Sequence, residues 1–322
     1  IKSIPGLLNF VKLNTSELIA LIENNDNEQY IIKYINDKED VKYKLKSHLS
    51  LFQHVKHGNN NLIIIGYQEN PLIEIINEDL LCISSQEISG IPTSATISDS
   101  YLIISKEGGM IDFFSIVNLD GFYELERKYI CESHIISPCL LIHNDFLISS
   151  DVYQSLFVFK ISEKGVIKVS EDTSPKGINK IVFFDSKLFA CDFKGSIYCY
   201  NFDEKEGKIT EIGSFQLSSK VLSLLVHQNK LYYSTEGGGF GIFVSTNDAN
   251  LPIIRDSLEK ESLTFLSDRK PPSIFEWNQE NIFIDIDNLI TIENLPKQII
   301  NNIIHSSGID AKTLSNLIDE YK

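Results

Sequence analysis

Two stretches with the same layout, KLFACDFKGSIYCYNF (187–202) and KLYYSTEGGGFGIFV (230–244), decide how this chain folds. In each, a short run of aliphatic and aromatic residues breaks at polar and glycine residues and then resumes with an alternation of period two. Two antiparallel strands joined by a tight turn produce this pattern. The second stretch starts 43 residues after the first. We therefore predict two consecutive β-hairpins at a fixed interval.

The same interval recurs along most of the chain. The apolar onsets of successive hairpins are Leu18, Leu62, Leu102, Leu147, Leu188 and Leu231, at intervals of 44, 40, 45, 41 and 43 residues. A further apolar run precedes the later hairpins, as in INKIVFF (178–184), and a fourth follows them, as in ITEIGSFQL (209–217). Four strands in about 40 to 45 residues are typical of one blade of a β-propeller. The first repeat is predicted at 1–36 and the second at 41–79.

These repeats predict an all-β fold with a helical tail: a WD40-like β-propeller of six to seven four-stranded blades, followed by a small C-terminal helical region. One small twisted sheet cannot bury both of its faces, so blades must stack around an axis and close into a ring. The propeller is predicted at 1–283 and the C-terminal strand and helices at 284–322. A seventh blade would come from 252–283 or from chain outside this segment. A β-sandwich with evenly spaced turns is the alternative.

Composition and charge narrow the function classes. The chain has 322 residues, 43% hydrophobic and 23% charged, which is ordinary globular composition. A net charge of −15 argues against direct nucleic-acid binding, which needs clustered Lys and Arg. The densest basic stretch, 41–57, is short and is predicted to be a solvated strand face. No apolar run approaches the length of a membrane span. Because the chain starts at Ile1, we expect a segment of a longer polypeptide.

The residues that bind metals or attack substrates form no recognisable site. His54 and His57 lie three apart on a predicted strand, which points their rings to opposite faces, so no metal is predicted. The chain has neither a GxSxG nor an HExxH motif, and no catalytic residue or cofactor is predicted. Asp285 and Asp287 share one face of a predicted strand and are interpreted as a solvated or capping pair. The cysteines form no CxxC pair and are predicted to be reduced core thiols of a cytosolic or nuclear protein: Cys82, Cys131, Cys139, Cys191 and Cys199.

The glycine-rich stretch EGGGFG (236–241) is predicted to be structural. It lacks the lysine and the Ser or Thr of a phosphate-binding loop, and it lies between strands. We predict a tight turn at Gly237, Gly238 and Gly239, with Gly241 part of the same structural turn, where only glycine fits against a neighbouring strand.

Two amphipathic helices are predicted near the C-terminus, within 294–322. Asn294 is a suitable N-cap for the first helix, Gly308 ends it, and Asp310 caps the second. Their apolar faces need a partner surface, either the propeller edge or a neighbouring subunit. The predicted partner-binding residues are Ile299, Ile303, Leu314 and Ile318.

Motifs in the second half of the chain carry a family resemblance. The stretches SDV (150–152), DTSP (172–175), VLSL (221–224) and YYSTEGGGFGIFV (232–244) occur in the order seen near the carboxyl end of a family of very large three-propeller proteins. That family includes the propeller subunit of the splicing factor 3b complex, which these motifs resemble most. IDIDNLITIENLPKQIINNII (284–304) resembles the family's closing motif but has Ile286 where the family has glycine, and Asn288 is extra.

The resemblance implies a non-enzymatic protein-interaction scaffold, the third propeller of a three-propeller protein. In the nucleus it would act in U2 snRNP assembly and branch-site recognition during pre-mRNA splicing. The implied partners are a large helical-repeat subunit and a small subunit, with no membrane and no small-molecule substrate. Two sister scaffolds remain alternatives: a cullin ubiquitin-ligase adaptor of the damaged-DNA-binding type and an mRNA 3′-end cleavage and polyadenylation factor. A propeller hydrolase is the alternative from another class.

Overall fold

The structure, a computed structural model, describes most of the first 247 residues and two short strands beyond them. The described residues are 6–14, 16–36, 38–119, 121–184, 186–217, 219–227, 230–236, 240–247, 274–278 and 281–285. The chain divides into two compact units, Ile1–Lys176 and Gly177–Lys322. Every regular element in the described residues is a β-strand, and none is a helix. This part of the chain therefore holds no helix with the length and hydropathy of a membrane span.

The first unit contains sixteen described strands in four sheets. The strands of its first two sheets are β1 (Leu7–Lys12), β2 (Glu17–Glu23), β3 (Gln29–Ile35), β4 (Lys38–Lys44), β5 (Leu49–His57), β6 (Asn60–Tyr67), β7 (Leu72–Ile76) and β8 (Cys82–Glu87). Those of the third and fourth are β9 (Pro92–Ile97), β10 (Tyr101–Lys106), β11 (Met110–Leu119), β12 (Phe122–Glu132), β13 (Leu140–His143), β14 (Phe146–Ser150), β15 (Leu156–Ser162) and β16 (Gly165–Asp172).

The described strands of the second unit form two sheets. They are β17 (Ile178–Phe184), β18 (Lys187–Asp192), β19 (Ser196–Asp203), β20 (Lys208–Gln216), β21 (Val221–His227), β22 (Lys230–Thr235), β23 (Phe240–Asn247), β24 (Ile274–Asn278) and β25 (Asn281–Asp285). Within the described residues, each of the first five sheets consists of four consecutive antiparallel strands in chain order, as propeller blades do. The predicted all-β fold of repeated four-stranded sheets is confirmed to this level.

The second strand of the second sheet is apolar without alternation because its two faces contact different neighbours. In β6, Ile63 and Ile65 pack with residues of the first sheet. Leu62 and Ile64, on the opposite face, pack with residues of the third sheet. A strand buried on both faces is expected to read as a continuous hydrophobic run. This packing explains why the hairpin runs were the strongest signal in the sequence.

The third sheet repeats the arrangement. Ile103 and Phe113 join a buried cluster with residues of the fourth sheet, whereas Leu102 and Phe114 pack toward the second. The turn between β10 and β11 is made by Gly108 and Gly109, as predicted. Both have positive φ, at 84° and 79°. This left-handed conformation favours glycine, and a Cβ on Gly109 would also lie 2.8 Å from the backbone oxygen of His134.

The predicted limits of the first two repeats were wrong. The first sheet continues through β4, so Val41 belongs to it and does not open the second repeat. The second sheet begins at Leu49 and continues to Glu87, beyond the predicted end at Asp79. The error has a physical cause. The fourth strand of the first sheet, KEDVKYK, is exposed along nearly its whole length, so its sequence contains no apolar run.

The chain after β23 does not supply the expected separate blade within its described strands. The sixth sheet has the order β21-β22-β23-β25-β24, so β25 occupies the fourth position and β24 the edge. Residues 274–278 and 281–285 therefore extend the sixth sheet, so these two strands do not form the separate seventh blade that was considered at 252–283. The reason is pairing: β23 offers a free antiparallel edge, and Val244 there pairs with Ile284. The predicted C-terminal helices lie outside the described residues.

Candidate interaction site

Three hairpins of the structure carry a buried polar pair at the same place. In each, the last residue of the second strand bonds the third residue of the third strand. The pairs are Tyr67 with Glu74, Lys106 with Asp112, and Asp192 with Tyr198, at 2.6, 2.6 and 3.0 Å. Buried polar groups need such partners because desolvation without a hydrogen bond is costly. The repeat thus extends beyond the apolar pattern to the polar positions that end each hairpin.

The first of these pairs belongs to a larger cluster, which we call the acid seam: Tyr43, Lys46, Tyr67 and Glu74. The Glu74 carboxylate is 2% exposed. It accepts hydrogen bonds from the hydroxyls of Tyr67 at 2.6 Å and Tyr43 at 3.0 Å, and from the Lys46 ammonium. Tyr43 lies on β4, so the carboxylate joins the first sheet to the second. Burial, followed by the contacts with Glu74, raises the pKa of both tyrosines above the ordinary value.

A second cluster, the hydroxyl seam, joins the third and fourth sheets without any charged group. It comprises Thr93, Ser94, Ser105, Ser137 and Ser149. The hydroxyls of Thr93, Ser94 and Ser105 each donate to the backbone oxygen of Ser137, at 3.0, 2.9 and 2.8 Å. The Ser137 hydroxyl in turn lies 2.7 Å from that of Ser149. These hydroxyls therefore supply hydrogen bonds to the Ser137 carbonyl, which apolar side chains at the same positions would leave unpaired.

The pair in the third sheet is the most deeply buried charged pair that the structure describes. Lys106 and Asp112 side chains are 3% and 0% exposed, and the ammonium also donates to the Ser89 hydroxyl at 3.1 Å. Asp112 Oδ1 has no hydrogen-bond partner among the described groups. A buried ion pair of this kind contributes little net stability, but removing one partner leaves an uncompensated charge. We interpret it as a structural pair.

A cavity of about 490 Å³ lies where three turns of the second and third sheets meet. The turns join β5 to β6, β7 to β8, and β11 to β12. Most of its lining is polar: Asn59, Asn60, Asn61, Asn77 and Asn118, with Glu78 and Asp79. We call this site the amide cavity. Asparagine is typical of such turns because its side chain bonds the local backbone and tolerates left-handed conformations.

Three of the five asparagines are engaged in holding the turns. Asn77 Oδ1 accepts from the backbone N–H groups of Asp79 and Leu81, at 3.0 and 2.9 Å. Asn118 Oδ1 accepts from the N–H of Gly121 at 3.1 Å. The third, Asn61, donates to Glu78 Oε1. Among the described contacts, the side chains of Asn59 and Asn60 make no hydrogen bond. Three asparagines of the cavity thus hold its turns in place, and the amides of the other two are available to a ligand.

The two histidines that were considered as metal ligands and rejected have separate partners. His54 Nε2 lies 3.1 Å from the amide oxygen of Asn61, whereas His57 Nδ1 lies 2.9 Å from the Tyr123 hydroxyl. The two rings are thus not brought together. In the described part of the chain, no group of three or more His, Cys, Asp or Glu side chains could hold a metal ion.

The five cysteines are free thiols, and two of them, Cys191 and Cys199, are fully buried in the core between the fifth and sixth sheets. The Cys191 thiol donates to Asn179 Oδ1 at 3.0 Å. Burial, with smaller contributions from Asp112 and Glu132, raises the pKa of the Cys131 thiol to about 12. Burial also raises the pKa values of Cys82 and Cys199. Because the thiolate is the reactive form, these three thiols are poor nucleophiles at neutral pH.

The predicted glycine and terminal residues divide between described and undescribed chain. Gly241 pairs with Tyr233 across β22 and β23. A Cβ added to Gly241 would lie 2.3 Å from the Tyr233 ring, so the tyrosine occupies the space of a side chain. Gly237, Gly238 and Gly239 lie outside the described residues. The predicted partner-binding residues Ile299, Ile303, Leu314 and Ile318 also lie outside them, as does Asp287.

The comparisons with known proteins add no family to this picture. No protein-family model matches the chain, and no curated protein matches it.

The amide cavity was not predicted from the sequence. The signal was present, because three consecutive asparagines follow a turn glycine at 58–61, while Asn77 and Asn118 end later strands. These turns are far apart in the sequence, and they come together only because the second and third sheets pack against each other.

Proposed function

We propose that the chain is a non-enzymatic protein-interaction scaffold built on a WD40-like β-propeller of six to seven blades with C-terminal helices. We further propose that it is the C-terminal part of a splicing factor 3b propeller subunit. In this role it acts in the nucleus, in U2 snRNP assembly and branch-site recognition. Its partners are protein subunits, with contact to RNA left to those partners.

The observation that carries the scaffold proposal is the succession of similar sheets packed face to face. In the first unit, each shared face holds an apolar cluster, such as the one that contains Ile64 and Leu102. The acid and hydroxyl seams add hydrogen bonds between neighbouring sheets. Residues with polar chemistry are thus used to hold sheets together. Such an architecture leaves loops and strand edges for partners, which is how repeat proteins present binding surfaces.

Two of the motifs that carry the splicing resemblance end strands and hold the turns that follow them. In SDV (150–152), Asp151 Oδ1 accepts from the N–H groups of Tyr153 and Gln154, at 2.9 and 3.0 Å. In DTSP (172–175), the Asp172 carboxylate accepts from the N–H of Ser174 at 3.0 Å and from Lys176 at 2.7 Å. Each aspartate fixes a turn between strands or sheets. The motifs support shared architecture, and the order in which they occur supports the splicing subunit.

The acidic composition supports contact with protein. A net charge of −15 repels phosphate and favours basic surfaces of other proteins. The proposed division is therefore that this chain contacts protein subunits and these contact RNA.

Affinity purification from nuclear extract tests the proposal. The tagged chain is expected to recover U2 small nuclear RNA through a large helical-repeat subunit, and ribonuclease treatment is expected to leave the protein–protein contact intact. A tagged, unrelated acidic propeller serves as the control. Recovery of a cullin or of polyadenylation factors in place of U2 RNA would assign the chain to a sister scaffold. Recovery of no defined complex would refute the scaffold function.

A further inference from the structure

We propose that the amide cavity binds an arginine or lysine side chain from a basic segment of a partner protein. The inference rests on the scaffold function proposed above and deepens it, because it names the chemistry by which one partner is recognised. It follows from the charge of the cavity, from its unused hydrogen-bond acceptors and from the exposed apolar surface on the outer face of the hairpin that forms one wall.

The charge of the lining favours a cation. Glu78 and Asp79 line the cavity, and no lysine or arginine does. Lys33 reaches only one oxygen of Asp79, at 3.4 Å, and 73% of the Asp79 side chain stays exposed. A phosphate would meet two carboxylates here, whereas an ammonium or guanidinium would be attracted. Electrostatic complementarity of this kind directs which partner binds and how fast it associates.

The cavity lining includes hydrogen-bond acceptors that no described group uses. Glu78 Oε1 is held by the N–H and amide Nδ2 of Asn61, at 3.2 and 2.6 Å. These two bonds position the carboxylate, while no described group bonds its Oε2. The amides of Asn59 and Asn60 are likewise without a described hydrogen bond. A guanidinium presents several N–H donors in one plane, which suits a carboxylate beside amide oxygens.

Other ligand classes fit the lining less well. A base or sugar ring needs an exposed aromatic face, and the aromatic ring in the lining, Tyr123, is 5% exposed and bonded to His57. A metal ion needs several carboxylate, thiolate or imidazole ligands that converge. The described residues contain no such group of three. A basic side chain requires neither feature.

An exposed apolar patch lies on the hairpin that forms one wall of the cavity. Asn118 and Tyr123 face the cavity from β11 and β12. On the opposite face of the same hairpin, Val117, Leu119 and Phe122 are 49%, 53% and 63% exposed. Leu119 and Phe122 pair across the turn, so their side chains adjoin. Exposed apolar surface of this kind is typical of protein interfaces. A partner that binds this patch would have to extend around the hairpin tip to place a basic residue near Glu78.

Fluorescence anisotropy with the full chain tests this inference directly. The probes are a labelled tetra-arginine peptide and its tetra-citrulline counterpart, which has the same shape without charge. The arginine peptide is expected to bind about tenfold more tightly than the citrulline peptide, in line with a charged hydrogen bond. Glu78→Gln is expected to weaken arginine binding about tenfold, because it removes the charge but keeps an acceptor for Asn61.

Glu124→Gln is the matched control. Glu124 is an exposed acid on the same hairpin, but it lies on the face opposite the cavity, and its substitution is expected to change affinity less than about twofold. Asn60→Lys provides a second test, since it places a cation at the cavity without removing a described side-chain bond. It should reproduce the loss seen with Glu78→Gln, while circular dichroism melts of all variants coincide.

Several outcomes would overturn the inference. Equal losses of peptide affinity in Glu78→Gln and Glu124→Gln would indicate that the peptide binds through general surface charge. Unchanged affinity in both Glu78→Gln and Asn60→Lys would show that the peptide binds elsewhere. Absence of arginine-peptide binding, or binding of a uridine decamer that Glu78→Gln abolishes, would also refute it. Affinity purification with wild-type chain separates the two proposals. If the wild type recovers its complex while the peptide test fails, the cavity assignment alone is wrong.

Discussion

The acid seam and the hydroxyl seam solve the same packing problem with different chemistry. Both join two neighbouring sheets of the first unit through buried polar groups. The acid seam depends on one carboxylate, Glu74, which accepts from three donors. The hydroxyl seam spreads its bonds over five hydroxyls and the backbone oxygen of Ser137. Loss of the Glu74 carboxylate would therefore remove every bond of the acid seam. In the hydroxyl seam, loss of one hydroxyl leaves other donors to the same oxygen.

This difference shows that similar sheets can be joined by different sets of buried polar side chains. A buried carboxylate carries a full charge, so its removal leaves several donors unpaired in a medium of low dielectric constant. A neutral hydroxyl that is lost leaves its acceptor with other donors. We therefore expect the two seams to differ in the size of mutational effects and in their response to pH.

The largest expected effect comes from removing the centre of the acid seam. Glu74→Ala should lower the free energy of unfolding by about 3 kcal/mol, because the buried Tyr67 hydroxyl and the partly buried Tyr43 hydroxyl lose their acceptor. Urea denaturation followed by circular dichroism measures the change. Glu69→Ala, at an exposed acid in the preceding turn, is the control and should have little effect. A loss below about 1 kcal/mol in Glu74→Ala would remove the distinction between the seams.

Alkaline pH should destabilise the acid seam. The pKa of Tyr67 is raised, chiefly by burial and then by its hydrogen bond to Glu74. The unfolded chain ionises this tyrosine near pH 10, whereas the folded chain keeps it protonated. The folded state thus binds more protons, and Tyr67 alone should lower the stability by about 1.4 kcal/mol per pH unit above that point. Tyr67→Phe should reduce the slope by this amount and leave the part that comes from Tyr43, measured by urea titrations between pH 9 and 11.

Ser105→Ala serves as the comparison in the same titrations, because no hydroxyl of its seam ionises in this range. Its slope should equal that of the wild type. A slope in Tyr67→Phe that matches the wild type would show that Tyr67 does not retain its proton on folding.

At neutral pH, Ser105→Ala should cost about 1 kcal/mol. Ser105 donates to the Ser137 oxygen at 2.8 Å, but Thr93 and Ser94 donate to the same oxygen and remain in place. Thermal melts compared with Ser100→Ala, at an exposed turn position, give the measurement. A cost as large as that of Glu74→Ala would contradict the redundancy of this seam.

The smallest effect is expected at the exposed end of the acid seam. Lys46 contacts Glu74, but 55% of its side chain is exposed. Lys46→Met should cost less than about 1 kcal/mol, because an exposed ammonium adds little and its stem can still pack. The difference from wild type should shrink in 1 M NaCl, where charges are screened. An effect that is independent of salt would argue for packing alone.

The sequence allowed the hairpins to be predicted but not the outer strands. Runs such as LIIIG in β6 are buried on both faces, so their composition reports their position directly. The fourth strand of the first sheet is largely exposed, and its charged sequence resembles a loop. The fourth position of the sixth sheet was also unpredictable, since β25 reaches β23 from more than thirty residues along the chain.

The candidate site was less accessible to sequence reasoning than the fold. Three asparagines at 59–61 were visible, but nothing in their spacing indicates that Asn118 lies across from them. The buried pairs illustrate the same limit. Lys106 and Asp112 are six residues apart around a turn, and their mutual contact depends on the register in which Ile104 pairs with Asp112.

The sequence by itself determined the repeat, the hairpins and the acidic charge, because these follow from local alternation, turn residues and composition. Tertiary structure alone decided which polar residues meet: Tyr43 with Glu74, the third-sheet hydroxyls with Ser137, and the turns around the amide cavity. The physical reason is that apolar burial acts on every residue of a strand, whereas a hydrogen bond between sheets needs two atoms within about 3 Å. That distance is set by sheet packing, which no single segment encodes.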